Sequence, residues 1–185
     1  MNSSKNNHVE QSGQSTLDEN LAFLRQLPFF ANTPLETIRL YAYLSQRENY
    51  LRNEPIFAQG EPSDRMFLIM SGKVAICDKH HEREFHLQML SAEGFNYFGE
   101  LALLAQFDWF FSAKAATDVK LLTITREAFH KVMEKYPERL PDTVSRIVKL
   151  RIQRFVDQTH YLLHNIREDA WQECTFDPQQ EDKEE

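Results

Sequence analysis

The residues with the clearest chemical potential form the segment FGELALL, residues 98–104. Gly99 can adopt backbone conformations that other residues avoid, so the chain can turn sharply there and a ligand can approach the backbone closely. Glu100, Leu101 and Ala102 are then predicted to open a short helix, whose free N–H groups attract negative charge. The segment therefore predicts an anion site, although Glu100 alone could simply be a first-turn carboxylate that the helix dipole favours.

A run of aromatic residues, FDWFF, follows at 107–111. Trp109, Phe110 and Phe111 cannot all lie on one side of a strand because successive side chains alternate, so at least one ring is expected to face outward. Three roles remain open: filling the core and plugging a pocket, forming an apolar ligand pocket, or presenting an exposed patch to a partner protein. We favour the first.

Catalytic and metal-binding patterns are not recognisable in the sequence. A metal site needs His and carboxylate ligands that converge from defined strand positions. His80 and His81 instead lie in the charged stretch 78–84, which predicts an exposed hairpin loop, and His86 follows it. Cys77 stands near a predicted strand end and is expected to be a small buried hydrophobe. We predict no metal site and no enzyme activity.

Composition bounds the function further. The 185 residues suffice for one domain with extensions, and 42% of them are hydrophobic. The net charge of −7 argues against a nucleic-acid surface spread over the whole chain. Two isolated cysteines predict no disulfide framework. The sequence shows neither a signal peptide nor a membrane-spanning run, which predicts a cytoplasmic protein without a membrane partner.

Helical periodicity at both ends flanks a block of short strands. Residues 1–15 are polar and are predicted to form a disordered arm. A helix is expected from Thr16 until Pro28 ends it, and a second helix should begin with Thr33 as its cap.

The central block, from about 48 to 125, contains short apolar runs separated by turn signals. The pair Ser71-Gly72 lies between two of these runs and predicts a tight hairpin turn. We therefore predict a mostly β fold, an antiparallel β-roll or jelly roll with flanking N-terminal helices. The runs that predict strands are PIFAQG, MFLIMSG, KVAICD, FHLQML and KLLTIT.

Helical periodicity returns after the strands. One helix is predicted over 126–135 and a longer one over 141–167, followed by an acidic, solvated tail at 168–185. The long helix carries a seam of apolar spacing that could join two copies of the chain or pack on the chain's own roll, and we favour the homodimer. The seam residues are Val144, Val148, Ile152, Phe155, Thr159, Leu162 and Ile166.

The run PIFAQGEPSDRMFLIMSGKVAI, followed by FGELALL and SAKAATDVKLLTI, resembles the cyclic-nucleotide-binding domain family, over roughly residues 21–137. The resemblance implies that Phe98, Gly99, Glu100, Leu101 and Ala102 form the phosphate-binding cassette. In that family the matching Glu accepts a hydrogen bond from the ribose 2′-hydroxyl, and the small residue matched by Ala102 leaves room for the phosphate.

One part of the family pattern is missing. The family's phosphate-binding Arg would fall on Trp109, and shifting the register supplies only Phe110 or Phe111. Lys114 is the nearest cation, but strand alternation places it on the face opposite Trp109. Asp108 would repel a phosphate. These residues predict weak or absent binding of cAMP or cGMP, with another anionic ligand still open.

These arguments predict a non-catalytic regulatory or sensor module, with a degenerate interaction or dimerisation scaffold as the alternative. The expected domain covers residues 16–140 and the dimerisation helix 141–167. In bacterial transcription regulators of the family a helix-turn-helix domain follows the long helix. The acidic stretch 168–185 does not resemble one, so direct DNA binding is not expected, while a protein partner remains possible.

Overall fold

The computed structural model describes residues 3–80, 83–94 and 96–165. The bounds of the elements are α1 Ser3–Gln26, α2 Leu35–Leu44, β1 Gln46–Tyr50, β2 Pro55–Phe57, β3 Arg65–Ser71, β4 Lys73–His80, β5 Arg83–Ser91, β6 Tyr97–Phe98, β7 Ser112–Ala115, β8 Val119–Thr125, α3 Arg126–Lys135 and α4 Leu140–Asn165. Two antiparallel four-stranded sheets form the centre, in the orders β1-β8-β3-β6 and β2-β7-β4-β5. This confirms the predicted β-roll with flanking helices.

The main hydrophobic core draws side chains from both sheets. Phe67 and Leu121 come from one sheet, and Val74 and Ala113 come from the other. All four are at most 3% exposed, as expected for strands that bury alternate residues against a facing sheet. The core includes Trp109, which precedes β7.

The helices follow the predicted order with changes at their ends. Helix α1 begins at Ser3, within the arm 1–15 for which composition predicted disorder. A helix extends readily from a formed segment because each added residue adds one hydrogen bond, and no proline interrupts the chain before Pro28. Helix α4 begins at Leu140, and the predicted end at 167 lies outside the described residues.

The predicted cap of α2 is wrong. Pro34, not Thr33, precedes the helix, and no side chain caps its start. The Thr33 hydroxyl instead accepts a hydrogen bond from the Arg146 guanidinium at 2.9 Å. A tertiary contact has therefore replaced the local capping bond.

Two turn predictions are also corrected. Ser71-Gly72 is a corner between the sheets and not a hairpin, because β3 and β4 belong to different sheets. Gly72 makes this corner possible with a φ of 87°, and a side chain there would collide with the Asp118 carbonyl. The hairpin predicted at the charged stretch 78–84 is present, but most of that stretch is strand and not loop, since β4 and β5 pair as far as His80 and Arg83.

The chain divides into two compact units, and the boundary between them lies within α4, between Ile147 and Val148. Among the described helices, none combines the length and apolar character needed to cross a membrane.

Candidate functional site

The site is built around a single-turn 3-10 helix, Glu100–Leu103, which we call the cassette helix. Gly99 precedes it in the left-handed conformation, with φ 76° and ψ 13°. The Ala102 amide donates to the Gly99 carbonyl at 3.0 Å, which closes the turn. Ala102 is fully buried and Glu100 is 2% exposed, so both are fixed by packing.

Aromatic stacking anchors the segment that leads into the cassette helix. Strand β6 pairs with β3 so that Phe98 lies opposite Phe67. The two rings stack with centroids 4.8 Å apart and an interplanar angle of 13°. Gly99 is thereby held at the end of the sheet, where a ligand could meet the start of the cassette helix.

The indole of Trp109 lies on Gly99. A Cβ atom at Gly99 would be 2.9 Å from Trp109 Cη2 and 2.9 Å from the Arg65 carbonyl oxygen. The indole stacks on Phe57 at a centroid distance of 4.1 Å and meets the edge of Phe107 at 5.7 Å. The space above the Gly99 backbone, where an anion would approach, is therefore filled by the end of the indole ring.

Backbone pairing holds Trp109 in this position. The Trp109 amide donates to the Glu61 carbonyl at 2.8 Å, and the Gly60 amide donates to the Trp109 carbonyl at 2.8 Å. The Ser63 amide donates to the Phe107 carbonyl at 2.8 Å. The paired backbone fixes the position of the segment, and the packing of the indole on Phe57 and Phe107 opposes rotation of the side chain out of the core.

The aromatic run divides between the core and the surface. Trp109 is only 9% exposed, whereas Phe110 is 68% and Phe111 is 41% exposed. Phe110 stacks on Phe107 with centroids 5.5 Å apart. The prediction that at least one ring faces outward is confirmed, and of the three rings Trp109 is the one that lies on Gly99.

Lys114 does not face Gly99. It lies on the outer face of β7 and forms an ion pair with Glu84, with a hydrogen bond of 2.7 Å to Oε2. Ala113, the preceding residue on β7, points to the opposite face and is fully buried. This confirms the predicted opposite orientation of Lys114. The cation of this strand is therefore directed away from the cassette helix.

Arg126 is a site residue that sequence reasoning missed. Its guanidinium donates to the Ala102 carbonyl at 2.6 Å, the Ala105 carbonyl at 3.0 Å and the Ser63 carbonyl at 2.6 Å. It thus ties the end of the cassette helix to the loop before β3 and to the first turn of α3. The available signal was an Arg at a helix start, where the dipole disfavours a cation.

The remaining nucleophile and His candidates do not form a site among the described residues. Cys77 is 7% exposed, and burial, followed by the Glu84 carboxylate, raises the pKa of its thiol. His86 lies opposite Cys77 on β5, while His81 lies outside the described residues. No cluster of three or more His, Cys, Asp or Glu side chains suited to a metal occurs in the described ranges.

Comparison with known proteins agrees with this architecture. Residues 47–136 match the sequence model of the cyclic nucleotide-binding domain. The cyclic AMP receptor protein of Thermus thermophilus is 31% identical over 110 residues, covering 60% of this chain and 50% of that relative. The chain matches about half the length of its bacterial curated relatives.

Solved structures show the same fold. The crystal structure of the Thermus thermophilus catabolite activator protein has a TM-score of 0.61 at 29% identity, covering 74% of this chain and 62% of that one. A cyclic nucleotide-binding domain from Methylobacillus flagellatus shares the fold with a TM-score of 0.68 at 18% identity, covering 84% and 86% of the two chains. This chain thus shares the β-roll fold of these proteins. Residues 47–136 of this chain form a domain of the cyclic nucleotide-binding family.

Proposed function

We propose that this chain is a non-catalytic regulatory module in which Trp109 has closed much of the cyclic-nucleotide site, so that cAMP and cGMP bind weakly or not at all. The observation that carries this proposal is the indole on Gly99, with Cη2 at 2.9 Å from the position of a Cβ atom there. A phosphate could reach the Gly99 backbone only after this ring moved.

Charge supports the same conclusion. The neighbouring Lys114 is paired with Glu84, and the exposed carboxylate of Asp108 stands beside Trp109. A hydrogen bond between charged groups contributes about 1.5–3 kcal/mol, so its loss weakens binding by about tenfold to a few hundredfold. The relatives named for cAMP are receptors and regulators, which supports a regulatory role.

Restoring a cation tests the proposal. Trp109→Arg should create or strengthen cAMP binding by about tenfold or more, because it removes the indole and supplies a phosphate partner. Trp109→Leu should open the same space without adding charge and should bind less tightly than Trp109→Arg. Binding is measured by displacement of a fluorescent cAMP analogue, with thermal melting to verify that each variant is folded.

The matched control is Phe110→Arg, which adds the same charge at the neighbouring exposed position. It should leave cAMP binding unchanged. If Phe110→Arg and a folded Trp109→Arg gained binding equally, the gain would reflect general electrostatics and the proposed role of Trp109 would be wrong.

A dimeric scaffold is the second candidate. Val148, Ile152 and Phe155 of α4 are 43%, 56% and 64% exposed. Their spacing of four and three residues matches a coiled-coil seam, which is self-complementary between two identical helices. Burial of these side chains by a second copy would remove the exposed apolar stripe from water and make α4 a dimerisation helix.

A further inference from the structure

A small cavity lies away from the cassette helix, between the turn Pro28–Phe30, α2 and the start of α4. Its volume is about 30 Å³. A water molecule needs about 10–15 Å³ on this scale, so the cavity has room for two or three water molecules or one small ion of similar volume, and not for a nucleotide. Its walls carry Thr33, Thr37, Tyr41, Arg139, Asp142 and Arg146.

Tyr41 gives this cavity a buried polar group that needs a partner. The side chain is 2% exposed, and its hydroxyl has no hydrogen-bond partner within the described ranges. The ring is held edge-on against Phe30 at a centroid distance of 5.3 Å. Burial also raises the pKa of Tyr41, so the group remains a neutral donor at physiological pH. An unmade hydrogen bond at such a buried position is costly, and an occupant of the cavity would remove that cost.

Arg146 brings positive charge to the same cavity. Its Nη1 donates to the Phe29 carbonyl and the Thr33 hydroxyl, both at 2.9 Å. These bonds fix the guanidinium, which has five N–H donors in all. Arg139 adds a second cation, which is paired with Glu138 at 3.5 Å, and Asp142 adds one carboxylate, so an anion would be held by the N–H donors of Arg146 and not by an excess of positive charge.

We propose that this cavity is a binding site for a small oxyanion, such as a carboxylate, bicarbonate or nitrate, held by the Tyr41 hydroxyl and the Arg146 guanidinium. Tyr41 belongs to α2 and Arg146 to the start of α4. A bound oxyanion therefore stabilises the packing of these two elements, and it does so independently of any cyclic nucleotide.

Thermal melting of the full chain with potassium acetate or potassium nitrate, against equal concentrations of potassium chloride, tests the site. A ligand at about 100 times its Kd should raise the Tm by roughly 5–10 °C in a chain of this size. Tyr41→Phe should abolish the anion-specific rise because it removes the hydroxyl, and its Tm without added oxyanion should be at least that of wild type.

Tyr43→Phe is the matched control, since Tyr43 lies on the same helix and is 73% exposed. It should keep the full response. Asp142→Asn should tighten acetate binding about twofold to fivefold by removing a competing carboxylate. Equal Tm increases in wild type, Tyr43→Phe and Tyr41→Phe, or no increase over chloride in wild type, would overturn the proposal and leave a cavity that holds water only.

Discussion

The contact between Trp109 and Gly99 is the basis of the proposed loss of nucleotide binding. A glycine is required at position 99 for two reasons. Its φ of 76° disfavours a side chain, and a Cβ atom there would lie 2.9 Å from both Trp109 Cη2 and the Arg65 carbonyl oxygen. In a site open to a phosphate, the ligand would occupy the space above this glycine. Here that space is occupied by an indole whose ring centroid lies 4.1 Å from that of Phe57.

Substitution of Gly99 should report this contact. Gly99→Ala is expected to destabilise the fold by about 2–4 kcal/mol, from the strained backbone together with the collision. Gly60→Ala is the matched control, since Gly60 has a φ of 87° and no atom within 4 Å of its Cβ position. It should cost only about 1 kcal/mol. Urea unfolding measures both values.

The contribution of Trp109 follows from the double-mutant cycle with Trp109→Leu. Removal of the indole should relieve about 0.5–3 kcal/mol of the cost of Gly99→Ala. A cost that stays the same in both backgrounds would place the whole effect in the backbone and the Arg65 carbonyl, contrary to the contact described.

Residue types alone predicted the cassette and an aromatic plug near it, but not the contacts that hold that plug in place. Gly99 and Glu100 were predictable because they belong to one short local segment. The stack of Trp109 on Phe57 was not, since it depends on pairing between the 107–109 segment and residues 60–63. Arg126 was missed for the same reason, because its three carbonyl partners come from distant parts of the chain.

At the level of elements, the sequence predicted best where apolar residues cluster in short runs. Strands β3, β4 and β8 coincide with the runs MFLIMS, KVAIC and KLLTIT. Strand β1, with the sequence QRENY, lies at a sheet edge and pairs only with β8, so it carries little apolar signal. The sequence predicts a hairpin at Gly72, where the structure has a corner between sheets, because a glycine with a positive φ serves both a tight turn and a change of sheet.

Helix α4 carries the prediction that belongs to this scale. Phe155→Asp should raise the dimer Kd by about thirtyfold or more, because a charged group would replace an apolar ring at the centre of the seam. Gln153→Asp, an exposed change on the same helix, should leave the dimer intact. Light scattering coupled to size exclusion measures both. A wild-type chain that stays monomeric at about 100 µM would contradict the dimeric scaffold.

At the level of the whole molecule, the family fold surrounds a site in which Trp109 packs on Gly99. The two sheets, the left-handed Gly99 and the buried Glu100 keep the frame in which a cyclic nucleotide would be bound. The packing of Trp109 into that frame adds aromatic contacts to the core while it reduces the space for a ligand. We therefore propose that Trp109 supports the stability of the fold and lowers the affinity for a cyclic nucleotide.

Calorimetric titration of the full wild-type chain with cAMP and with cGMP tests the central claim most directly. We predict no saturable heat below about 0.1 mM nucleotide, because the indole covers Gly99 and no cation on β7 faces it. Saturable binding at micromolar concentrations or tighter would contradict the account, since it would require the indole to move aside and another group to hold the phosphate.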